Sequence, residues 1–319
     1  MTSTTVDKLL DFAVAPGFTS FGYKVRSKDF APTPDLGGRD FVVTGASSGL
    51  GAATAEILAG AGATVHLVVR NVTKGEDVRA RIAEHADGGS LRVWECDVSS
   101  LESVRSFASS FTGEVEKLDA LVHNAGTMPP ERELTDEGLE LTFATNVAGP
   151  FLMTGLLLPL LKQAAPARVI NVSSGGMYGA RLDAADPQLT SRDFNGTRFY
   201  AHTKRCQVVL TGEWQARPAG TGVSAHAVHP GWADTPGVED SLPGFHKLMK
   251  PLLRDAHQGA DSIAWLCWAP EPLADPGRFW HDRMPRPIHR LPKTRETPAD
   301  RERLWQALVE TTGLDEGII

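Results

Sequence analysis

From residue 40 onward the chain repeats one unit, a short run rich in valine, isoleucine and leucine followed by a longer helix-patterned stretch. The runs fall at 41–43, 64–69, 91–95, 118–123, 168–172 and 223–228. Strands joined through helices cannot pair as hairpins. Each crossover brings the next strand back alongside the sheet in the same direction, with helices over both faces. The expected architecture is an α/β, doubly wound parallel sheet of about seven strands, with 277–280 supplying the last. Ligands of such sheets sit at the carboxyl ends of the strands, so the residues just after each run carry the chemistry.

The flanks leave this rhythm. Residues 1–38 read as an N-terminal extension: Val6, Leu9, Leu10 and Ala13 fall at helical spacing, Pro16-Gly17 ends the pattern, and Pro32, Pro34 and Gly37-Gly38 form a linker. An amphipathic segment of this kind packs on its own domain, the simpler expectation, or makes weak contact with a membrane surface. Residues 39–285 form the main domain, which carries every one of these runs. Residues 286–319 form a C-terminal extension in which Thr297, Pro298 and Asp300 start a helix. With 41% hydrophobic and 22% charged residues the chain can bury a sizeable core. A net charge of −7 offers no basic face to nucleic acid. There is no uninterrupted apolar run of membrane-spanning length and no secretory signal pattern. Cys96, Cys206 and Cys267 are far apart and lack C-x-x-C spacing. Reduced, buried thiols in a cytoplasmic protein are expected.

Thr44-Gly45-Ala46-Ser47-Ser48-Gly49-Leu50-Gly51 follows the first run and opens the first helix. Gly45 permits a tight turn, Gly49 lets the backbone approach a pyrophosphate, and Gly51 allows close packing of helix on strand. The amides of the helix N-terminus then face the phosphates. Its place between strand and helix makes the loop more than a glycine-rich turn.

This Thr-Gly-x-x-x-Gly-x-Gly loop resembles the cofactor fingerprint of the short-chain dehydrogenase/reductase family, and the family's other landmarks follow in order. Asp97-Val98 after the third strand resembles the adenine-holding pair. Asn124-Ala125-Gly126 resembles the end of the family's Asn-Asn-Ala-Gly, with His123 standing in place of the first Asn. Asn146 matches the family's asparagine in the next helix. Ser173-Ser174 ends the fifth strand, Tyr200-Ala201-His202-Thr203-Lys204 is the Tyr-x-x-x-Lys pattern, and Pro230-Gly231 with Thr235 follows the sixth strand. Stretches 27–30, 65–70, 132–140, 173–177 and 229–238, and the long gap from Ser174 to Tyr200, resemble a branch similar to the retinol-dehydrogenase-like reductases. The resemblance implies a Rossmann-type fold, a nicotinamide cofactor and a small substrate. It assigns Lys204 also to the nicotinamide ribose and Asn146 to a water that relays protons to Lys204. Family members often form homo-oligomers through the helices that carry Asn146 and Tyr200.

Carbonyl reduction needs a hydride donor, a proton donor and a group that holds the carbonyl oxygen. Tyr200 and Lys204, four apart on a helix, share a face. A nearby ammonium favours the phenolate and brings an ordinary tyrosine pKa of about 10 toward working pH. Ser174, second of the pair in the family's pattern, holds the same oxygen. The second strand ends Val69-Arg70-Asn71, without the acid that binds a ribose 2′-OH. Arg70 is positioned to pair with a 2′-phosphate, so NADP(H) is expected ahead of NAD(H). An arginine at a strand end is otherwise a solvated charge.

Trp232 lines a substrate pocket or packs simply. Segment 236–255, with Leu242, Pro243, Phe245, Leu248 and Met249, is a lid over an apolar carbonyl or alcohol substrate or a plain hydrophobic cap. His226 and His229 lack a third ligand for zinc. The basic residues of 278–295 read as surface. The enzyme reading stands against two others. A nucleotide-sensing protein without turnover usually loses the Tyr, Lys or Ser, and this chain keeps all three. Sugar-nucleotide epimerisation uses another glycine spacing and a larger C-terminal domain.

Overall fold

A computed structural model describes residues 5–13, 15–86, 88–241 and 243–319. Among them eight strands form one sheet: β1 (Asp40–Thr44), β2 (Thr64–Val69), β3 (Ser90–Glu95), β4 (Ala120–His123), β5 (Ala167–Val172), β6 (Val223–Val228), β7 (Phe279–His281) and β8 (Met284–Arg286). Their spatial order is β3-β2-β1-β4-β5-β6-β7-β8. Every neighbouring pair is parallel except β7 and β8.

Period-two alternation explains the two cores. On β1, Val42 faces one layer, which contains Phe107, Phe111, Leu152, Trp214 and Trp305. Phe41 and Val43 face the other, with Leu58, Trp265 and Leu266. All six residues of β5 and of β6 are buried. Burial on both faces selects mostly apolar residues, so the central runs are visible in the sequence. The polar exceptions on β5 are paired: Arg168 donates to the Cys267 and Ala269 carbonyls, and Asn171 Nδ2 to Thr211 Oγ1.

The strand order reverses between β1 and β4, whose carboxyl ends part and leave a crevice. Helix Gly49–Gly60 begins at the crevice directly after β1, and helix Gly196–Ala216 packs beside β5 and β6.

The eighth strand exceeds the expected seven. It is three residues long, contains Pro285 and pairs only with β7, through a turn in which Asp282 and Arg283 have φ of 51° and 56°. Proline is tolerated on such an edge, but so short a strand has no periodicity to read.

Arginines in the same stretch correct the reading of 278–295 as surface. Arg283 and Arg286 are buried, paired with Asp261 and Asp7. Their partners are distant in sequence, so no local pattern announces the pairs. The 5–13 helix, through Asp7, and residues 32–38, through fully buried Leu36, both pack on the main body. Leu10 is buried, whereas Leu9 faces solvent. The Thr297–Asp300 capping box forms at helix Pro298–Thr312. The stretch Leu141–Gln163 is helical throughout and, with a mean hydropathy of 1.5, is long and apolar enough by composition to cross a membrane. It is 83% buried and lies under the sheet as a core helix.

Candidate active site

The glycine loop turns sharply after β1. Gly45 has φ of 66° and donates its amide to the Val68 carbonyl. A Cβ on Gly51 would collide with the Gly45 carbonyl oxygen and lie 2.5 Å from Asn124 Nδ2, so the helix sits directly on the loop. Ser48 caps the Gly49–Gly60 helix without a side-chain hydrogen bond, leaving the first-turn amides for an anion. Ser47 lies in the same turn, and Leu50 faces the large cavity described below.

Asn124 braces this loop. Its Nδ2 donates to the Thr44 carbonyl at 2.9 Å, while the amides of Asn124 and Ala125 both donate to Thr44 Oγ1 at 3.0 Å. The neighbouring His123 is buried, with Nε2 2.8 Å from Thr154 Oγ1. Burial pushes its pKa down to about 3, so it is neutral. The position that departs from the family pattern thus finds a partner of its own.

At the other end of the crevice, Arg70 is open to solvent, with Nη1 3.9 Å from Asp97 Oδ2. The two line a 390 Å³ cavity with Glu95, Ser100 and Glu102. Asp97 also accepts from the amide and hydroxyl of Ser99. Val98 is buried, and its carbonyl packs against Gly149.

Between these ends and β6 lies a cavity of about 610 Å³, a size that suits a small-molecule ligand. Ser174, Tyr200 and Lys204 share its wall with Gly126, Pro230, Gly231, Trp232 and Thr235. Tyr200 hydrogen-bonds Ser174 through its hydroxyl; burial raises the phenol above its ordinary 10, and that bond works against the rise. Lys204 Nζ is buried, donates to the Val172 carbonyl at 2.9 Å and lies 5.3 Å from the centre of the Tyr200 ring. Burial pushes its ammonium down to about 7. Ser173 turns its hydroxyl to the Lys204 carbonyl at 2.9 Å, so of the two serines Ser174 meets the tyrosine.

Asn146 sits in a π-turn, Ala144–Ala148, where the helix widens. Such turns recur at functional sites. Its Oδ1 accepts from the Thr127 amide at 3.0 Å, and its Nδ2 donates to Thr203 Oγ1 at 3.0 Å. Its carbonyl accepts from Gln207 Nε2 at 2.8 Å. Gln207 was not legible as a site residue, because a glutamine three positions past a lysine carries no signal.

Phe245 of the expected lid faces the cavity, its ring 5.3 Å from that of Trp232. Pro243 and Leu248 are exposed, and Leu242 lies outside the described residues. The segment therefore closes the cavity with one aromatic rather than with the whole apolar set. His226 and His229 diverge: His226 Nδ1 accepts from Trp280 Nε1, whereas His229 lines the cavity.

A nucleotide-sized crevice at the strand-order reversal, a glycine cradle at a helix N-terminus and a Ser-Tyr-Lys set in one cavity define a nicotinamide-dependent oxidoreductase. The chain belongs to the short-chain dehydrogenase/reductase family: the short chain dehydrogenase pattern matches residues 40–243. It is 44% identical over 299 residues to dehydrogenase/reductase SDR family member 12 of Bos taurus, covering 92% of this chain and 93% of that one. It is 35% identical to retinol dehydrogenase 12 of Homo sapiens, over 88% of each chain. A solved structure of an uncharacterized protein from Mycobacterium Paratuberculosis superposes with a TM-score of 0.72 at 30% identity, covering 88% of this chain and 96% of that one. The branch resemblance of the quoted stretches is thus carried across nearly the whole chain.

Proposed function

We propose that this chain is an NADP(H)-dependent reductase of an aldehyde or ketone on an apolar molecule, with the reverse oxidation available. The observation that carries the reading is the Tyr200 hydroxyl, bonded to Ser174 above the Lys204 ammonium, in a cavity walled by Met128, Pro130, Trp232 and Phe245. The cofactor supplies a hydride when bound. The residues suited to hold it are Gly45 to Gly51 at the pyrophosphate, Asp97, Val98 and Arg70 at the adenosine, and Gly126, Lys204, Pro230, Gly231 and Thr235 toward the nicotinamide. The tight turn at Gly45 and the helix start whose N-cap side chain makes no hydrogen bond fit that group.

The protein's own part is proton chemistry. Tyr200 gives its phenolic proton to the carbonyl oxygen while Ser174 donates a hydrogen bond to that oxygen. Lys204 stabilises the phenolate left behind. Asn146 fixes the Gly126–Thr127 segment beside Lys204, because its Oδ1 accepts from the Thr127 amide and both Asn146 Oδ1 and Lys204 Nζ abut Gly126. The test is NADPH consumption against apolar aldehydes, ketosteroids and quinones. Tight NADPH binding with no turnover of any of them would count against the reductase reading.

The lysine makes the reaction pH-dependent in a stated direction. With its pKa near 7, Lys204 is charged below that pH and neutral above it. The charged form favours proton release from Tyr200. Reductive kcat/KM for the nicotinamide substrate, which reports groups of the free enzyme, should be high below pH 7 and fall as pH rises through it. Lys204→Met should be slower and lose the inflection. A wild-type profile that rises through pH 7 would contradict this role.

Support for NADP(H) over NAD(H) comes from Arg70, exposed at the end of β2 with no acid on that strand end. Arg70→Ala should weaken NADPH binding by about tenfold or more and leave NADH within about twofold. Equal losses for both would remove the basis for the preference.

A further inference from the structure

Residues 17–19 lie far in sequence from the active-site cavity, yet they pack against the loop that walls it. The link is Arg254, whose side chain is 1% exposed. Its Nη2 donates to the Gly17 carbonyl at 3.0 Å, and its Nε to the carbonyls of Phe18 at 3.1 Å and Thr19 at 3.3 Å. Its Nη1 donates to the Pro230 carbonyl at 3.2 Å. Asp282 accepts from Nη1 at 2.6 Å and from Nη2 at 2.9 Å, which neutralises the buried guanidinium. Gly231 lies flat against the guanidinium, and a Cβ there would be 2.5 Å from Arg254 Cζ.

The backbone completes the clamp. The Trp232 amide donates to the Phe18 carbonyl, and the Arg254 amide to the Trp232 carbonyl, each at 2.8 Å. Phe18 packs edge-on against His229 at 4.3 Å and Trp232 at 5.8 Å between ring centres. The loop held in this way, His229 to Ala233, is one wall of the active-site cavity. Asp282 keeps its left-handed φ of 51° within this network, where Arg26 Nη1 also donates to it at 2.8 Å. Such strain persists only where surrounding contacts over-determine it.

We propose that Arg254 is a positioning residue for the nicotinamide-side loop, and that residues 17–19 are a working part of the cofactor site. The proposal rests on the nicotinamide reading given above. A planar guanidinium reaches acceptors from three chain segments at once, which a single ammonium cannot reproduce. The loop's pose, and with it cofactor affinity, therefore depends on the fork geometry.

The test compares Arg254→Lys with Asp7→Asn. Asp7 pairs with Arg26 and Arg286 in the same network and does not line the cavity. Arg254→Lys should raise the dissociation constant of NADPH or NADH by about tenfold or more, with kcat at saturating cofactor within about threefold. Asp7→Asn should lower the melting temperature and leave cofactor affinity within about twofold. Arg254→Lys that loses stability yet keeps wild-type affinity overturns the proposal.

Hydrogen exchange on the unmodified chain gives a readout that needs no variant to fold. Saturating NADPH should slow exchange in 15–24 together with 229–233. Protection of 229–233 alone overturns the proposal. No protection anywhere, with either NADPH or NADH, overturns the nicotinamide reading and this proposal with it.

Discussion

Tyr200→Phe should lower kcat for carbonyl reduction by about a hundred- to ten-thousandfold, the usual contribution of a positioned proton donor. The ring stays and only the hydroxyl leaves, so packing around it is kept. Among the described residues the side-chain partner of that hydroxyl is Ser174, which also accepts from the Gly176 amide at 3.3 Å. Stability should therefore change by no more than about 1 kcal/mol. Cofactor affinity should also hold. A variant that kept turnover within about tenfold would place the proton donor elsewhere. Adding Ser174→Ala to Tyr200→Phe should cost far less than the sum of the two single losses, because the pair acts on one oxygen. Full additivity would mean that the two hydroxyls serve different atoms.

Gly51→Ala should damage binding and folding together. The added methyl meets the Gly45 carbonyl oxygen and Asn124 Nδ2, and neither belongs to a flexible side-chain tip. Asn124 Nδ2 is already committed to the Thr44 carbonyl at 2.9 Å. Relief requires the 49–60 helix to move off the loop. Overpacking of this kind costs about 1–3 kcal/mol, measurable by denaturant unfolding. The helix amides would shift with it, and displacement of about 1 Å at a binding cradle can cost a hundredfold. Loss of stability with unchanged cofactor affinity would show that the phosphate groups do not rest on this helix start.

These two positions were legible before any coordinates, for a shared reason. Each belongs to a spaced motif on the helix that follows a strand, Gly51 on the helix after β1 and Tyr200 on the helix between β5 and β6, and the strands are recognisable because burial on both faces selects mostly apolar runs such as 64–69. The glycine spacing and the Tyr-x-x-x-Lys pair then have fixed places. Arg254 was not legible. In a stretch rich in proline and leucine an arginine reads as a solvated charge, and its acceptors are main-chain carbonyls and a carboxylate 28 residues on, which no local sequence pattern marks. Arg283 and Arg286 were misread for a related reason, since what buries them is carboxylates 22 and 279 residues away. The lid was read too broadly, because its composition shows how much is apolar and not which side chain turns inward.

The pair Asp7–Arg286 joins residues 279 positions apart, and Arg26–Asp282 joins residues 256 apart. A chain made from its amino end cannot form either contact until the far hairpin leaves the ribosome. At ordinary translation speeds that is a delay of roughly a quarter of a minute to a minute. Through that interval Asp7 and Arg26 are present without these two partners, and the wall that Phe18 builds is unmade. A segment made at least 256 residues ahead of these partners is thus among the last to find its place.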